Sequence, residues 1–263
     1  ESIGAYNSTY IHLVIGIFMI LSGVNFSLYY SLFKGKVKEV VKNEELRLYM
    51  GIILTSVILI ALNINKHMYN NFGLSLRDSF FQVGSIITTT GYATVDFDQW
   101  PTFSKIILFS LMFVGGCAGS TGGGIKNIRI LVLLKLIKRE ITKIFHPRAV
   151  IPIKTEDKVV PNETVASITS FFMLYIIIFV LGTAIISLEG IDFESSAGAV
   201  AATLGNIGPG IGLVGPARTY SQFSYGGKLL LSLLMLLGRL ELFTIIALLA
   251  PSTWRKEILS KNA

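Results

Sequence analysis

The sequence predicts an all-α integral membrane protein in which long spanning helices alternate with short helices that enter the bilayer and turn back. Composition is the first observation: 15% of the 263 residues are Asp, Glu, Lys or Arg, and 52% are apolar, whereas soluble domains carry roughly a quarter charged residues. The mean hydropathy of +0.64 agrees. The second is where the charges are missing: 2–33, 48–65, 79–95, 106–125, 164–188 and 195–217 contain none. Several of these stretches reach the ~18–20 residues that cross a bilayer core as a helix. The third is a weak internal repeat, described below. An ordinary water-soluble enzyme is excluded at the outset.

Taken in order, the apolar runs place long helices at about 10–33, 47–65, 102–137, 162–188 and 222–254. Basic residues orient them. Five lie in 34–47, nine in 126–158 and three in the tail (Arg255, Lys256, Lys261), while the other side holds Lys66, Arg77, Lys105, Arg218 and Lys228. Basic loops favour the cytoplasm, which puts 34–46, 138–160 and the C-terminus inside and the first residues outside. The net charge of +7 is therefore read as loop placement, and no nucleic-acid partner is expected. The chain starts at Glu1 without a signal-peptide pattern, and an N-terminal portion is expected to precede it. Two shorter apolar pieces, about 78–88 and 194–204, rise ~15 Å as helices, half the ~30 Å hydrocarbon thickness. Each is expected to dip in from the outer side and return. Irregular backbone at that depth is tolerated where protein buries it or where it lines a watery cavity, which suggests a pore.

The repeat sharpens this reading. At an offset of 117, LRDSFFQVGSIITTTG (76–91) falls on FESSAGAVAATLGNIG (193–208), matching Ser79 with Ser196, Val83 with Val200 and Gly91 with Gly208. At an offset of 123 the returning helices align, Lys105 on Lys228, Met112 on Met235 and Gly115 on Gly238; FMILSG (18–23) resembles LMFVGG (111–116). The chain thus reads as one orphan returning helix (1–46), then two helix–pore helix–helix units, 47–160 and 161–263. Two units and a fraction cannot enclose an axial pore, so either further units of this chain or partner chains are expected to complete it.

The chemistry follows from the turns after the short helices, TTTGYATVDF (88–97) and GNIGPGIG (205–212). A helix that ends inside the membrane aims its negative dipole end inward, and free carbonyls of the next turn replace a cation's hydration shell. Thr89, Thr90 and Gly91, with Asn206, Ile207 and Gly208, are the expected ion ligands. As isolated motifs they would be ordinary tight turns; their repetition after matched short helices favours the filter. GGCAGSTGGGIK (115–126) puts Gly115, Gly116, Gly119, Gly122, Gly123 and Gly124 where a helix should run. Each glycine costs roughly 1 kcal/mol against alanine there, so the helix is expected to break near mid-membrane. Arg239 arrives at the same depth, where an arginine normally faces a polar cavity. The expectation is a gate below the filter, a Gly-rich loop opposed by a fixed positive charge. The alternative gives the glycines to close helix packing.

Other candidates lead nowhere. GSTGGGIK (119–126) lacks the Lys directly after the last Gly that a phosphate loop requires. Cys117 is a lone cysteine, which excludes an internal disulfide, and His12, His67 and His146 have no partners at metal-ligand spacing. Asp96 and Asp98 are candidates for concentrating cations at the outer mouth, or for plain solvated carboxylates.

TTTGYAT, GGCAGSTGGGIK, NIGPGIG and LLGRLELFT (236–244) together resemble the Trk/Ktr/HKT potassium-uptake family, TrkH-type membrane subunits in particular. The resemblance covers nearly the whole chain. It implies four membrane–pore–membrane units arranged like a potassium channel, with one filter glycine per unit, here Gly91 and Gly208, and a gating loop at Gly115–Lys126 with Arg239 opposite. It implies potassium as the transported ion, with no organic cofactor. It also implies a multi-pass protein of the plasma (inner) membrane, a homodimer with a pore in each protomer, and a cytosolic ring of nucleotide-binding regulatory subunits. SIG (2–4) then lies just past the second unit's filter, and the first unit and most of the second are missing from this sequence. The competing readings are a sodium-permeable or cation-coupled transporter of the same family, with Glu241 as the acidic candidate for the coupling site, and a membrane scaffold that transports nothing.

Overall fold

The computed structural model describes residues 2–240 and 242–244. Helices α1 (Thr9–Ser22) and α2 (Phe26–Phe33) are followed by the short α3 (Val37–Lys42). Helix α4 (Glu44–Ile64) continues through a π turn to Tyr69 and is followed by α5 (Phe72–Ile87) and α6 (Thr102–Val114). After α7 (Asn127–Phe145) come a two-stranded ribbon, β1 (Lys154–Thr155) antiparallel to β2 (Lys158–Val159), and then α8 (Asn162–Ser187), α9 (Phe193–Leu204) and α10 (Tyr225–Arg239). Glu241 and the basic tail lie outside the described residues, as does most of the second half of the helix expected at 222–254.

Among the described residues two helices, Glu44–Tyr69 and Asn162–Ser187, are long and apolar enough to cross a membrane alone. Their outer faces carry apolar side chains half open to the surroundings, such as Leu54, Ile58 and Leu62 on α4 and Ile177, Val180 and Ile185 on α8. The polar residues are inside instead. Ser75, Asp78, Ser79, Gln82 and Ser85 of α5 are buried, and every residue of α9 from Ser195 to Leu204 is buried. Helix α5 packs on α1, α4 and α6; α9 packs on α6, α8 and α10. The short helices are thus sheathed by protein, as backbone termini at membrane depth require. Asn71 caps α5 by accepting from Leu74 N at 3.2 Å, and Asp192 caps α9 by accepting from Ser195 N at 3.0 Å.

The first apolar run departs from expectation. The chain does not continue as one helix over 10–33 but bends by 95° between α1 and α2. Gly23 closes α1, and its carbonyl accepts from Cys117 N at 2.9 Å, while Asn25 caps α2 by accepting from Ser27 N. Tertiary and capping bonds take over the backbone groups that a straight helix would have satisfied. Helix α5 also starts at Phe72, earlier than the 78 expected, since Asn71 supplies the cap and Arg77 with Asp78 sit inside the helix. The expected break in 102–137 is present: α6 stops at Val114 and α7 starts at Asn127, running on to Phe145.

Candidate functional site

The two turns after α5 and α9 close on the same three backbone hydrogen bonds. Thr88 N, Thr89 N and Thr90 N donate to Gly84 O, Ile86 O and Ser85 O; Gly205 N, Asn206 N and Ile207 N donate to Ala201 O, Thr203 O and Ala202 O. Each acceptor and donor is displaced by the repeat offset. The crossed bonds are those of a Schellman helix end, whose left-handed residue is usually glycine. Here that residue is Thr89 (φ 55°) or Asn206 (φ 57°), and the glycines come two positions later, Gly91 at φ 78° and Gly208 at φ 110°. A β-branched residue at positive φ is an outlier and persists where its surroundings hold it. Both side chains are tethered: Thr89 Oγ1 accepts from Gly123 N at 2.8 Å, and Asn206 Nδ2 donates to Met235 O at 3.1 Å.

The turns touch each other. A β-carbon at Gly91 would run into the Ile207 carbonyl oxygen, so the close approach of the two segments requires glycine there. At Gly208 the same position opens onto free space. Inside each turn, Thr88 Oγ1 lies 2.8 Å from Thr90 Oγ1, Ser85 Oγ donates to Tyr92 O at 2.6 Å, and Tyr220 OH donates to Gly208 O at 2.7 Å. The short segment before α1 joins the group: Ala93 N donates to Ser2 Oγ at 2.8 Å, and Gly4 N to Ala93 O at 3.1 Å.

The segment 115–126 is non-helical and lies against the caps of both short helices. A β-carbon at Gly122 would stand 3.2 Å from Thr88 O, and one at Gly123 would stand 2.5 Å from Gly205 O. Thr88 and Gly205 are equivalent residues of the repeat, so one loop abuts two equivalent carbonyls. Gly115, Gly119 and Gly124 have positive φ, while Gly116 packs near Gly23 O. The loop is pinned at both ends by a residue that sequence reasoning missed. Glu45, 5% exposed, accepts through Oε1 from Ala118 N at 2.7 Å and from Ile128 N at 2.9 Å. Asn127 Nδ2 adds a bond to Gly115 O at 2.8 Å. Counted with a cytoplasmic linker, Glu45 gave no signal beyond being an acid at the foot of an apolar helix.

Cations meet the loop's carbonyls. Lys126 Nζ donates to Gly122 O, and Arg239 Nη1 donates to Thr121 O at 3.2 Å. These groups, with Phe171 and Tyr175 of α8, line a cavity of about 290 Å³. Arg239 therefore sits beside the glycine loop. Among the described residues no cluster of His, Cys, Asp or Glu is arranged to hold a metal ion. Backbone and hydroxyl oxygens of the two turns are the groups suited to a hard monovalent cation.

Asp96 and Asp98 are neither free at an outer mouth nor simply solvated. Asp98 Oδ1 accepts from Gly212 N at 2.8 Å and Oδ2 lies 3.7 Å from Arg218, tying the loops of the two units together. Asp96 caps the following turn through Asp98 N at 3.2 Å. A second tie joins Lys105 to Glu194 at 2.5 Å. Two further loop carboxylates are stabilised in their charged form. Glu189 is held below the usual range chiefly by the Ser224 hydroxyl, with Ser224 N adding a bond, and Asp192 by the backbone N–H of Ser195.

Buried short helices, matched turns and apolar outer faces define an integral membrane protein of repeated helix–short helix–helix units. A family model described as "TrkH: Cation transport protein" matches residues 1–256, and the chain belongs to that family. It is 38% identical over 257 residues to the Trk system potassium uptake protein TrkH of Salmonella typhimurium, covering 97% of this chain and 53% of that protein. It is 37% identical to the Trk system potassium uptake protein TrkG of Escherichia coli, with 97% and 52% covered. The crystal structure of the potassium transporter TrkH from Vibrio parahaemolyticus superimposes with a TM-score of 0.88 at 38% identity, over 96% of this chain and 55% of that one. The chain spans about half the length of the curated relatives it matches. Those relatives are named as transport proteins, not as enzymes.

Proposed function

We propose that the chain is part of the pore-forming membrane subunit of a potassium uptake system, and that Thr89, Thr90, Gly91, Asn206, Ile207 and Gly208 are its contribution to the ion filter. The observation that carries this is the match of the two turns in their three cap hydrogen bonds and in the sign of φ, together with their contact at Gly91 and Ile207. Paired turns related by an internal repeat are what a filter built from homologous units needs. The relatives named as potassium uptake proteins supply the choice of ion.

The glycine-rich loop, Gly115 to Lys126, is the proposed gate, and Arg239 its charged counterpart. Its contact with the caps of both short helices and the bond from Arg239 to its Thr121 carbonyl support that role. In this reading 1–46 ends the second unit, 47–160 is the third and 161–263 the fourth, in a plasma (inner) membrane with the C-terminus inside. The remaining units complete the ring. A homodimer and a cytosolic nucleotide-binding ring complete the assembly.

The test is flux through the intact protein in liposomes under imposed potassium and sodium gradients. A current reversing at the potassium equilibrium potential is the expected result. Dependence on a second ion would favour coupled transport, and absence of any flux would refute the proposal.

A further inference from the structure

A sizeable concavity lies away from the turns. It is a groove of about 1020 Å³ between the end of α7, the extended strap 147–153 and the first turns of α8. Its floor is apolar: Ile153 and Val165 are buried there with Val132, and Leu136 and Val160 pack against them. Its walls carry Arg139, Lys143 and Arg148, and no Asp or Glu is among its lining residues. Glu140, just outside, takes one bond from Arg139 at 2.9 Å and approaches Lys143 at 3.5 Å. The lining itself thus carries three cations and no acid, with Glu140 and Glu163 at its border, and the site is positive.

The depth of the groove is set by α8. Its 26 residues span ~39 Å at 1.5 Å per residue, compared with ~30 Å of hydrocarbon and ~40–45 Å including headgroups. The first two turns of α8, which line the groove, therefore stand at headgroup level, on the basic side that positive loops assign to the cytoplasm. At the groove Val150 is 95% exposed, and at the nearby end of α7 Ile144 and Phe145 are 75% exposed. Apolar side chains left in the open beside a cationic hollow at this depth fit an acyl chain and a phosphate in the same place. Basic pockets on the cytoplasmic side of membrane helices take such headgroups.

We propose that this groove binds an anionic phospholipid of the inner leaflet, its headgroup phosphate between Arg139, Lys143 and Arg148 and an acyl chain along Val150 and the outer face of α7. The site is separate from the ion path and does not depend on the filter assignment.

The probe is phosphatidylglycerol in mixed nanodiscs or vesicles with phosphatidylcholine, using the intact protein. Native mass spectrometry of the wild type should show phosphatidylglycerol retained over phosphatidylcholine. The triple variant R139Q/K143Q/R148Q should retain it at least fivefold less, with an unchanged melting temperature. The charge-matched control K34Q/K36Q/K38Q should retain it like the wild type. Free inorganic phosphate at millimolar concentration should not displace the lipid. Equal retention by the triple variant and the wild type would overturn the proposal. So would an equal loss in the control, which would make the effect one of net charge. Displacement by phosphate alone would reduce the groove to a free-anion site, and loss of a cytosolic protein with lipid retention unaltered would make it a protein dock. Either would also refute the lipid reading.

Discussion

Glu45 offers the sharpest test of how the glycine loop is held. Its Oε1 takes the N–H groups of Ala118 and Ile128, one near each end of the loop. A hydrogen bond to a charged group contributes about 1.5–3 kcal/mol, so two give about 3–6 kcal/mol in gross terms. Removal by Glu45→Ala does not leave both donors dry, because a cavity of about 380 Å³ borders Glu45 and Ala118 and admits water. The net loss is then about 2–3 kcal/mol, and at ~1.4 kcal/mol per tenfold the loop's opening equilibrium rises roughly 30–150-fold. Glu45→Gln keeps an acceptor but loses the charge, and neutral bonds are about half as strong, so its effect should be about tenfold. Hydrogen exchange of the Ala118 and Ile128 amides, read against a thermal melt showing intact fold, measures this directly. Exchange unchanged within twofold in folded Glu45→Ala would refute the assignment of Glu45 as the pin of the loop. Background cation flux in liposomes should rise in the same order, Ala above Gln above wild type.

Further outcomes follow from other contacts. Arg239→Ala removes both the bond to Thr121 O and a positive charge beside the loop, and should raise potassium flux several-fold; equal flux would count against an electrostatic barrier. Gly91→Ala meets the Ile207 carbonyl and a positive φ, whereas Gly208→Ala faces positive φ in open space. The first should cost more than the ~1–2 kcal/mol of the left-handed conformation and the second about that, so melting temperatures should fall in that order. Asp192 caps α9, and its carboxyl is held below the ordinary range by the Ser195 N–H. A depressed folded-state value means its stabilisation is complete above the unfolded carboxylate range near ~3.9 and is lost as pH falls through the folded value. Asp192→Ala should cost about 1 kcal/mol at neutral pH and flatten the acid limb of a stability–pH curve; an unaltered curve would show that the cap contributes nothing.

What could be read from the letters alone depended on which forces leave a trace in them. Charge-free blocks mark bilayer depth directly, so α4 and α8 fall where composition puts them. The glycine-rich break was legible because six glycines raise the helical cost of one short stretch. The bend at Gly23 was not, because one glycine costs about 1 kcal/mol, and what bends the chain there is a bond from Cys117, 94 positions away, to the Gly23 carbonyl. A hint existed in the likeness of FMILSG to LMFVGG: α1 ends at Ser22 and α6 at Val114, adjacent positions of that alignment. The start of α5 was misjudged because Arg77 and Asp78 interrupt the charge-free count, although Asn71 is a good cap. Asp98 was misread for a simpler reason. A loop carboxylate looks the same in sequence whether it faces water or a backbone N–H of the other unit.

Thr89 makes the proposed filter and the proposed gate parts of a single mechanical element. Its hydroxyl is held by Gly123, and that bond helps to keep a β-branched residue in a conformation it seldom adopts. If Gly123 swings aside, the tether is lost and the turn above it is freed to relax, so the coordinating oxygens and the passage below cannot be adjusted independently. In the later repeat Gly123 only packs against the Gly205 carbonyl, and Asn206 is fastened instead to the Met235 carbonyl in a helix, so loop motion would undo the tether of one turn and leave that of the other in place.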